Sequence, residues 1–502
     1  MQNNILDYLN ETVLRTPDKT AFSDGTDSLT FLEIYSQSRA IGFWLHEQGV
    51  YRKPVVVFMN KHPKAVTAFL GVITGGCFYI PVDLEMPAMR IELILQNAEA
   101  GVMICDSNTI EVAKTLKFSG DIVLYDDICK ITVEDEVLKK IHDEALDTDL
   151  IYVVFTSGST GVPKGVAGCH RSAIDYAEQL SEGLRFGEDT IFGNQAPLYF
   201  DACMKEIYST LKFGATTYLI PRDLFLFPLK LVEFLNQYQI NTLCWVVSAL
   251  TMISAFGTFE SIVPQYLRMI AFVGEVFPVK QFNKWKKALP EVDYVNLYGP
   301  TEGTGVCCYY RVNREFVAGE VMPIGKPFKN TEIFLLNDRN EQVINGEEGE
   351  ICIRGTCLSH GYYKDMERTK EVFVQNPLNR EYPEIIYRTG DVGRYNENGE
   401  LIFVSRKDSQ IKHMGHRIEL GEIEVYVNTV EGVDVAGCVY EQQKNKIALY
   451  YVGNISEKEL AVAIKKSVPR YMVPNTIYKL EKMPYTPNGK IDRKALKDSS
   501  GI

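Results

Sequence analysis

The sequence lacks several features that would place it in a specialised class. Basic residues are not in excess, because 53 Lys and Arg stand against 65 Asp and Glu in 502 residues. This balance disfavours nucleic-acid binding, which needs a basic surface. No apolar run reaches the roughly 18 residues that span a bilayer, so no membrane insertion is expected. The 46% hydrophobic and 24% charged residues indicate a globular chain with a large core.

Metal-binding and secretion patterns are also missing. The 11 cysteines are an odd number and none forms a Cys-x-x-Cys pair, so a zinc site is not predicted. The stretch from residue 1 to 19 has neither the basic start nor the small-residue cleavage site of a signal peptide. Its apolar positions Ile5, Leu6, Leu9 and Val13 have helical spacing and predict a capped helix. We therefore expect a cytoplasmic protein with reduced, buried cysteines.

The order of apolar segments predicts the fold class. Short Val- and Ile-rich runs alternate with helix-period stretches, which predicts parallel α/β layers. The runs are Val55–Phe58, Gly101–Cys105, Ile151–Phe155, Thr216–Ile220 and Tyr294–Leu297. After about Gly305, turns separate further strand candidates and predict an antiparallel or barrel-like region. These candidates are Thr331–Leu336, Glu350–Arg354 and Leu401–Val404.

Charge divides the chain near residue 405. From Ser405 to Ile502 there are 16 Lys and Arg against 12 Asp and Glu, a net charge of +4, which leaves −16 for residues 1–404. A basic terminal segment on an acidic body predicts a separate small domain, and chance unevenness is the alternative.

A glycine-rich loop is the most informative segment. Residues 156–165 read Thr-Ser-Gly-Ser-Thr-Gly-Val-Pro-Lys-Gly and follow the apolar strand Ile151–Phe155. Glycines let backbone N–H groups turn toward an anion, while the hydroxyls and Lys164 add donors and charge. A Walker loop ends in Gly-Lys-[Ser/Thr], but here Pro163 precedes the lysine and Gly165 follows it, which disfavours a P-loop phosphotransferase. The sequence predicts a phosphate site, with a surface turn as the alternative.

This loop resembles the signature of the adenylate-forming enzymes. That family includes the amino-acid adenylation domains of nonribosomal peptide synthetases, acyl- and aryl-CoA synthetases and luciferases. Six further segments are similar to the family's motifs and occur in its order: Leu29–Phe31, Tyr79–Asp83, Asn296–Glu302, Tyr387–Asp391, Gly415–Leu420 and Pro487–Lys490. The resemblance implies a large N-terminal domain, residues 1–405, of two layered αβ subdomains plus a distorted β-barrel. It also implies a small, mobile α+β C-terminal domain, residues 406–502, with a hinge near Asp408.

The same resemblance implies a nucleotide site that uses ATP and Mg²⁺. Glu302 is similar to the magnesium ligand, Asp391 to the ribose-binding acid, and Lys164 and Lys490 to the catalytic lysines. Tyr298 would stack on adenine, and Ser405 stands where the family usually has glycine. The remaining nucleotide-binding candidates are Thr156, Ser157, Gly158, Ser159, Thr160, Gly161, Gly274, Glu275, Val276, Asn296, Leu297, Gly299, Pro300, Thr301 and Arg406.

A further set of residues would bind the acid to be activated. Asp201 resembles the residue that pairs with the α-ammonium group in amino-acid-activating members. The alternatives are a helix N-cap or an i,i+4 pair with Lys205. By the same resemblance, the side-chain pocket would comprise Ala202, Lys205, Cys244, Ala271, Val273, Leu297, Gly305 and Val306. A lysine in an apolar pocket suggests an acidic substrate side chain, unless Lys205 extends out to solvent.

The sequence therefore predicts an ATP-dependent ligase that adenylates an amino acid. It would then transfer the product to the phosphopantetheine thiol of a separate carrier protein. Residues 193–197 and 273–278 are similar to the D-alanine–carrier-protein ligases of this family, but Lys205 and Val273 differ from the apolar residue and the cysteine usual there. D-Alanine is therefore not the expected substrate. The alternatives are an acyl- or aryl-CoA synthetase and a catalytically inactive nucleotide-binding module.

Overall fold

The computed structural model describes residues 2–158, 162–317, 319–344, 346–407, 410–441, 444–485 and 491–499. The chain divides into two compact units. The first unit comprises Met1–Leu84, Ala98–Val154 and Gly165–Lys407, and the second comprises Glu85–Asn97, Phe155–Lys164 and Asp408–Ile502. The last break lies close to the expected boundary at residue 405, but the second unit also includes two earlier segments. The division into domains 1–405 and 406–502 stays a prediction.

The described residues form strands and helices throughout the chain. The strands in chain order are β1 (Thr20–Ser23), β2 (Ser28–Thr30), β3 (Pro54–Phe58), β4 (Phe78–Val82), β5 (Val102–Cys105), β6 (Asp121–Leu124), β7 (Leu150–Thr156), β8 (Lys164–Cys169), β9 (Ile191–Asn194), β10 (Thr216–Leu219), β11 (Thr242–Val246), β12 (Met269–Val273), β13 (Asp293–Tyr298), β14 (Cys308–Arg311), β15 (Lys326–Pro327), β16 (Thr331–Leu336), β17 (Gly349–Gly355), β18 (Phe373–Gln375), β19 (Ile385–Tyr395), β20 (Leu401–Arg406), β21 (Gln410–His413), β22 (His416–Glu419), β23 (Val433–Glu441), β24 (Lys446–Gly453) and β25 (Thr476–Lys479).

Helices occupy much of the intervening sequence. The α-helices are α1 (Asp7–Arg15), α2 (Phe31–Glu47), α3 (Pro63–Thr74), α4 (Ala88–Ala98), α5 (Ile110–Ala113), α6 (Tyr125–Ile128), α7 (Asp135–Asp143), α8 (His170–Leu184), α9 (Met204–Phe213), α10 (Pro228–Gln237), α11 (Val247–Ala255), α12 (Val279–Ala288), α13 (Met366–Val372), α14 (Leu420–Asn428), α15 (Glu457–Ser467) and α16 (Arg493–Ser499). Among the described residues, no helix is both long enough and apolar enough to cross a membrane.

Two sheets confirm the predicted α/β layers. One has six strands in the order β6-β5-β3-β4-β7-β8, and the other has nine in the order β15-β14-β13-β12-β11-β9-β10-β1-β2. The central pairs β3/β4, β3/β5, β11/β12 and β12/β13 are parallel. All five residues of β3 are buried, as expected for a β-branched run in a parallel sheet covered on both faces. The nine-stranded sheet, called the wide sheet below, has antiparallel strand pairs at both ends: β1/β2 at one, and β13/β14 and β14/β15 at the other.

The region after β15 is antiparallel, as predicted. Its five-stranded sheet has the order β16-β17-β19-β18, with β20 paired to β19. In that last pairing Asp391 lies opposite Arg406, and the register shifts between Val392 and Gly393. Ser405 pairs with Val392 and is exposed, so the residue that stands where the family usually has glycine lies next to this irregularity of the ladder.

Side-chain capping occurs at α2 rather than at the N-terminal helix. Leu6 precedes α1 and has no side-chain acceptor, so the predicted helix is present but its cap is not. Asn4 Oδ1 instead accepts the N–H of Leu6, at 3.0 Å. Helix α2 begins with a capping box in which Thr30 and Glu33 each bond the other's backbone N–H. Thr30 belongs to the motif Leu29–Phe31, so this motif has a structural role in starting α2.

The second unit contains a hairpin, a three-stranded sheet and the helices α14 and α15. In the β21/β22 hairpin, Met414 and Gly415 have φ values of 52° and 78°. Two consecutive positive φ values make a tight two-residue turn, and glycine supplies one of them without strain. Arg90 of α4 and Glu422 of α14 form an ion pair in which both side chains are buried. Burial chiefly raises the pKa of Glu422, and the Arg90 charge opposes that rise.

Candidate functional site

Asp391 lies in a buried arrangement of complementary groups in the first unit. The Arg406 guanidinium bonds Asp391 Oδ1 from the neighbouring strand and also donates to the carbonyl oxygen of Thr389 at 3.2 Å. The Tyr298 hydroxyl donates to Asp391 Oδ2 at 2.5 Å. Burial, and then the negative charge of Asp391, raise the pKa of Tyr298 well above its usual value. The carboxylate is thus held in one orientation by a cation and a phenol.

The segment after β13 places Glu302 inside the protein. Glu302 is fully buried, and its Oε1 accepts a hydrogen bond from the Tyr362 hydroxyl at 2.6 Å. Its carbonyl oxygen accepts the N–H of Ser359 at 2.9 Å. Gly299 permits this path, because a Cβ there would lie 2.4 Å from the Cα of Val306. Glu302 is therefore not an exposed loop glutamate, and its carboxylate is a hard oxygen donor that fits Mg²⁺.

The predicted adenine-binding segments leave the wide sheet at one edge. Strands β12 and β13 are parallel neighbours, with Val273 opposite Leu297. Gly274–Val276 therefore follow the carboxyl end of β12, while Tyr298 ends β13 and leads into Gly299–Glu302. Ligands of α/β proteins commonly bind at such an edge. Asn296 is buried and donates from Nδ2 to the carbonyl oxygen of Pro323 at 2.8 Å. Stacking of Tyr298 on adenine stays a prediction.

Three neighbouring strands bring together the predicted wall of the substrate pocket. Cys244 of β11 lies opposite Ala271 of β12, and Val273 lies opposite Leu297 of β13. Side chains two residues apart on one strand share a face, so these four side chains share one face of the sheet. They pack with Val306 and Tyr176 in one hydrophobic cluster, against which Ala202 also packs. A Cβ added at Gly305 would lie 3.1 Å from the Tyr176 hydroxyl oxygen.

Asp201 lies beside this wall, in the turn that precedes α9. The turn is a 3-10 segment, Asp201–Cys203, and the residue preceding α9 is Cys203, so Asp201 is not the cap of that helix. Burial chiefly raises the pKa values of Tyr176 and Tyr152, and the Asp201 charge contributes to both shifts. The Asp201 carboxylate is thus close to two buried phenols.

Lys205 stays inside the protein instead of reaching solvent. The residue is 2% exposed, and its ammonium group donates to the carbonyl oxygen of Ala202. The expectation that it could extend outward is wrong in this structure. Its positive charge acts on the Cys244 thiol and on Glu206, since it opposes the rise that burial imposes on both pKa values.

The glycine-rich loop belongs to the second unit. Within it, the Thr156 hydroxyl donates to the Lys164 carbonyl oxygen at 3.5 Å. Ser157 Oγ donates to the carbonyl oxygen of Arg417 at 2.7 Å, and the Gly158 N–H donates to Glu422 Oε2 at 3.2 Å. A backbone N–H of this loop therefore already bonds an anionic oxygen, which is the chemistry expected of a phosphate-binding loop.

Comparison with known proteins decides the family. The model of the AMP-binding enzyme family matches residues 9–363. The chain belongs to the AMP-binding enzyme family. It has the large α/β architecture that the resemblance to adenylate-forming enzymes predicts.

Relatives of this AMP-binding enzyme include both long and short proteins. It is 31% identical over 488 residues to tyrocidine synthase 1 of Brevibacillus parabrevis, covering 96% of this chain but 43% of that protein. It thus spans less than half the length of such synthases. It is 31% identical over 508 residues to the D-alanine–D-alanyl carrier protein ligase of Bacillus licheniformis, covering 96% of both chains. A Vibrio cholerae adenylation domain in complex with glycyl-adenosine-5'-phosphate has the same fold, with a TM-score of 0.86 at 22% identity, covering 100% of this chain and 98% of that one.

Several predicted site residues of the AMP-binding enzyme lie outside the described residues. These are Ser159, Thr160, Gly161, Asp408 and Lys490. Their roles in phosphate binding, hinge motion and catalysis stay predictions.

The structure adds two ionisable side chains that the sequence analysis missed, one buried and one half-buried. Glu206 is fully buried, and its Oε2 accepts from Asn194 Nδ2 at 3.3 Å. Lys61 Nζ donates to the carbonyl oxygens of Asn194, Gln195 and Ile220, at 2.8, 3.1 and 3.2 Å. Burial lowers the pKa of Lys61 to about 7, although the Glu206 charge opposes that shift. Glu206 directly follows Lys205 and could have been noticed, whereas Lys61 carries no sequence signal.

Proposed function

We propose that this protein is an ATP- and magnesium-dependent ligase that adenylates an amino acid. It then transfers the aminoacyl group to the phosphopantetheine thiol of a separate carrier protein. The observation that supports an amino acid most directly is the Asp201 carboxylate beside Tyr152 and Tyr176, next to the packed wall of β11–β13. A partly buried carboxylate at this place suits an α-ammonium group, which simple carboxylic acids lack.

Binding of ATP would use groups that are already oriented. Asp391 is fixed by Arg406 and Tyr298 and would accept hydrogen bonds from the ribose hydroxyls. Such preorganised groups need little rearrangement when charge develops in the transition state. Glu302 would be a ligand of Mg²⁺, which when bound would neutralise charge on the phosphates.

The reaction would proceed in two displacements. A carboxylate oxygen of the amino acid would attack the α-phosphorus of ATP, and the bond from that phosphorus to the bridging oxygen would break to release pyrophosphate. Lys164 and Lys490 would balance the negative charges that meet in this step. The carrier thiolate would then attack the carbonyl carbon, and AMP would leave. We further propose that a small domain, residues 406–502, turns about Asp408 and delivers Lys490.

The choice of a carrier protein is supported by similarity and charge. The D-alanine–D-alanyl carrier protein ligase matches over 96% of both chains. Residues 405–502 have a net charge of +4, which suits an acidic partner.

The identity of the amino acid side chain is proposed from Lys205. Its ammonium group is buried and bonds the carbonyl oxygen of Ala202, and its charge acts on Cys244 of the predicted pocket wall as well as on Glu206, whose pKa is raised by burial. A buried cation is stabilised by an anionic partner. We therefore propose an acidic substrate side chain, such as that of glutamate.

The test is pyrophosphate exchange into ATP across a panel of amino acids and simple carboxylic acids. We expect exchange with an acidic amino acid, and Lys205→Met should abolish this preference. Loss of the ammonium partner in Asp201→Asn should lower kcat/KM by roughly 30-fold or more, from about 2–5 kcal/mol. Asp106→Asn, at a buried carboxylate that bonds the N–H groups of Asn108 and Thr109, is the matched control and should keep full exchange.

The same panel separates the alternatives. Exchange with carboxylic acids alone, unaffected by Asp201→Asn, would establish an acyl- or aryl-CoA synthetase instead. The absence of AMP and pyrophosphate with every acid tested would indicate an inactive nucleotide-binding module. If acidic amino acids react equally well in Lys205→Met, the side-chain assignment is wrong while the amino-acid assignment stands.

A further inference from the structure

Glu422 lies where three segments of the second unit meet. It belongs to the first turn of α14 and is fully buried. Arg90 of α4 bonds its Oε1, and the N–H of Gly158 in the glycine-rich loop donates to its Oε2 at 3.2 Å. Both oxygens of one carboxylate are thus bonded, one by a guanidinium group and the other by a backbone N–H.

Two further contacts hold the same segments together. Ser157 Oγ donates to the carbonyl oxygen of Arg417, which precedes α14, at 2.7 Å. Leu93 of α4 packs against the hydrophobic cluster to which α14 belongs. Arg90 and Leu93 are three residues apart, so they share one face of α4. The loop and α4 therefore both contact the region around the beginning of α14.

The two groups that bond Glu422 are of the kind that binds phosphate. Arginine pairs with carboxylate and with phosphate in the same geometry, and backbone N–H groups of glycine-rich loops bind anionic oxygens. Gly158 belongs to the loop for which the sequence predicts phosphate binding, and Arg90 lies beside it through their shared partner. The Glu422 carboxylate therefore stands in for phosphate oxygens at this place.

We propose that Arg90 and the Gly158 N–H form an anion site, which Glu422 and a phosphate group of ATP occupy in turn. The inference rests on the proposed function, because its ligand is the ATP of that reaction. Since the two anions exclude each other, α14 has to move away from α4 and the loop when the phosphate binds. This movement agrees with the turn proposed for residues 406–502, which include α14 but neither α4 nor the loop.

Competition with Glu422 lowers the apparent affinity for ATP. The phosphate binds only the fraction of molecules from which Glu422 has withdrawn, so the apparent Kd is the intrinsic Kd divided by that fraction. Glu422→Gln keeps the size of the side chain and one oxygen acceptor but removes the charge. Because hydrogen bonds to charged groups are stronger than those between neutral groups, the variant should bind ATP more tightly, by about tenfold or more.

The test is calorimetric titration of the full-length protein with ATP and magnesium, without amino acid or carrier. We expect Glu422→Gln to bind ATP about tenfold more tightly than the wild type does. Adding Arg90→Gln to Glu422→Gln should then weaken ATP binding by about tenfold or more, because in that background the guanidinium group serves the phosphate alone. Adenosine has no phosphate group and should bind the wild type and Glu422→Gln equally.

The same helix supplies a matched control. Glu424 of α14 also bonds an arginine and a backbone N–H: Arg493 Nη2 donates to its Oε1 at 2.6 Å, and the N–H of Cys438 donates to the same oxygen at 2.8 Å. These partners belong to neither α4 nor the glycine-rich loop. Glu424→Gln should therefore leave the affinity for ATP unchanged.

The outcomes separate this inference from the proposed function. A wild type that binds no ATP would overturn both. The anion site alone is overturned if the wild type binds ATP but folded Glu422→Gln binds it no more tightly, or if the affinity for adenosine rises in parallel. It is also overturned if Arg90→Gln does not weaken ATP binding in the Glu422→Gln background.

Thermal unfolding shows whether each variant is folded. If Glu422→Gln does not fold, Glu422→Asp replaces it in every titration, because the shorter side chain withdraws the carboxylate from Arg90 and Gly158. The same results are then expected, and unchanged ATP binding in folded Glu422→Asp would refute the proposal.

Discussion

His170 should make the protein less stable in mild acid, and the structure sets the size of the effect. His170 is buried at the start of α8, and its Nδ1 accepts the N–H of Ile5 at 3.0 Å, which joins the N-terminal segment to this helix. Burial lowers the pKa of His170 to about 4 from its ordinary 6.5, although Asp149 and Asp7 oppose the shift. The perturbation is His170→Asn, which keeps an oxygen acceptor near the Nδ1 position and does not titrate.

The direction of the stability change follows from how many protons His170 binds in the folded and in the unfolded state. Between pH 6.5 and 4 the unfolded chain binds a proton at this histidine and the folded protein does not, so the unfolding free energy falls as the pH falls. Each pKa unit corresponds to about 1.4 kcal/mol, which gives about 3 kcal/mol for the whole interval and about 2 kcal/mol by pH 5. Above pH 6.5 the histidine is neutral in both states, so its neutral form contributes its full stability to the folded protein.

Urea unfolding at pH 7.5 and pH 5 measures this difference. The wild type should lose about 2 kcal/mol more than His170→Asn between the two pH values. The exposed His46→Asn is the control and should behave like the wild type. Equal losses in the wild type and in His170→Asn would refute the assignment of His170 as a neutral buried histidine.

Further predictions concern the nucleotide site and its backbone. Asp391→Asn should lower kcat/KM for ATP by about 10–100-fold, the range expected when hydrogen bonds to a charged group are lost, and the exposed Asp338→Asn should have no effect on ATP titrations of the exchange rate. An unchanged ATP dependence in Asp391→Asn would argue against ribose binding there. Gly299→Ala should destabilise the protein by about 1–3 kcal/mol in thermal unfolding, because its Cβ would meet backbone atoms at 2.4 Å. Gly101→Ala meets no atom within 4 Å and should be neutral; equal melting temperatures for the two variants would contradict the packing argument.

Much of the fold could be predicted from the local spacing of apolar residues along the sequence. The β3 segment of consecutive valines is a strand because a fully buried parallel strand needs apolar side chains on both faces. The N-cap alternative for Asp201 assumed a helix that starts directly after it, but a 3-10 turn at Asp201–Cys203 precedes α9. The cap expected at the N-terminal helix was wrong, since the pattern of apolar spacing says nothing about which residue precedes the first turn.

The sequence predicted the site residues that belong to recognisable motifs, but not the contacts between segments that are far apart in the chain. The positions of Asp391, Arg406 and Glu302 followed from resemblance, but the Tyr298–Asp391 hydrogen bond joins residues 93 positions apart. Lys61 was missed for the same reason, because its bonds to the carbonyl oxygens of Asn194, Gln195 and Ile220 join segments that the sequence does not pair.

The most direct test of the central claim follows oxygen from the substrate. An amino acid labelled with ¹⁸O in its α-carboxylate should be incubated with ATP, magnesium, the wild-type enzyme and a carrier bearing a phosphopantetheine thiol. The account predicts that one labelled oxygen appears in the phosphate of AMP and that an aminoacyl thioester forms on the carrier. Label found in inorganic phosphate together with ADP, or thioester formation without labelled AMP, would contradict it.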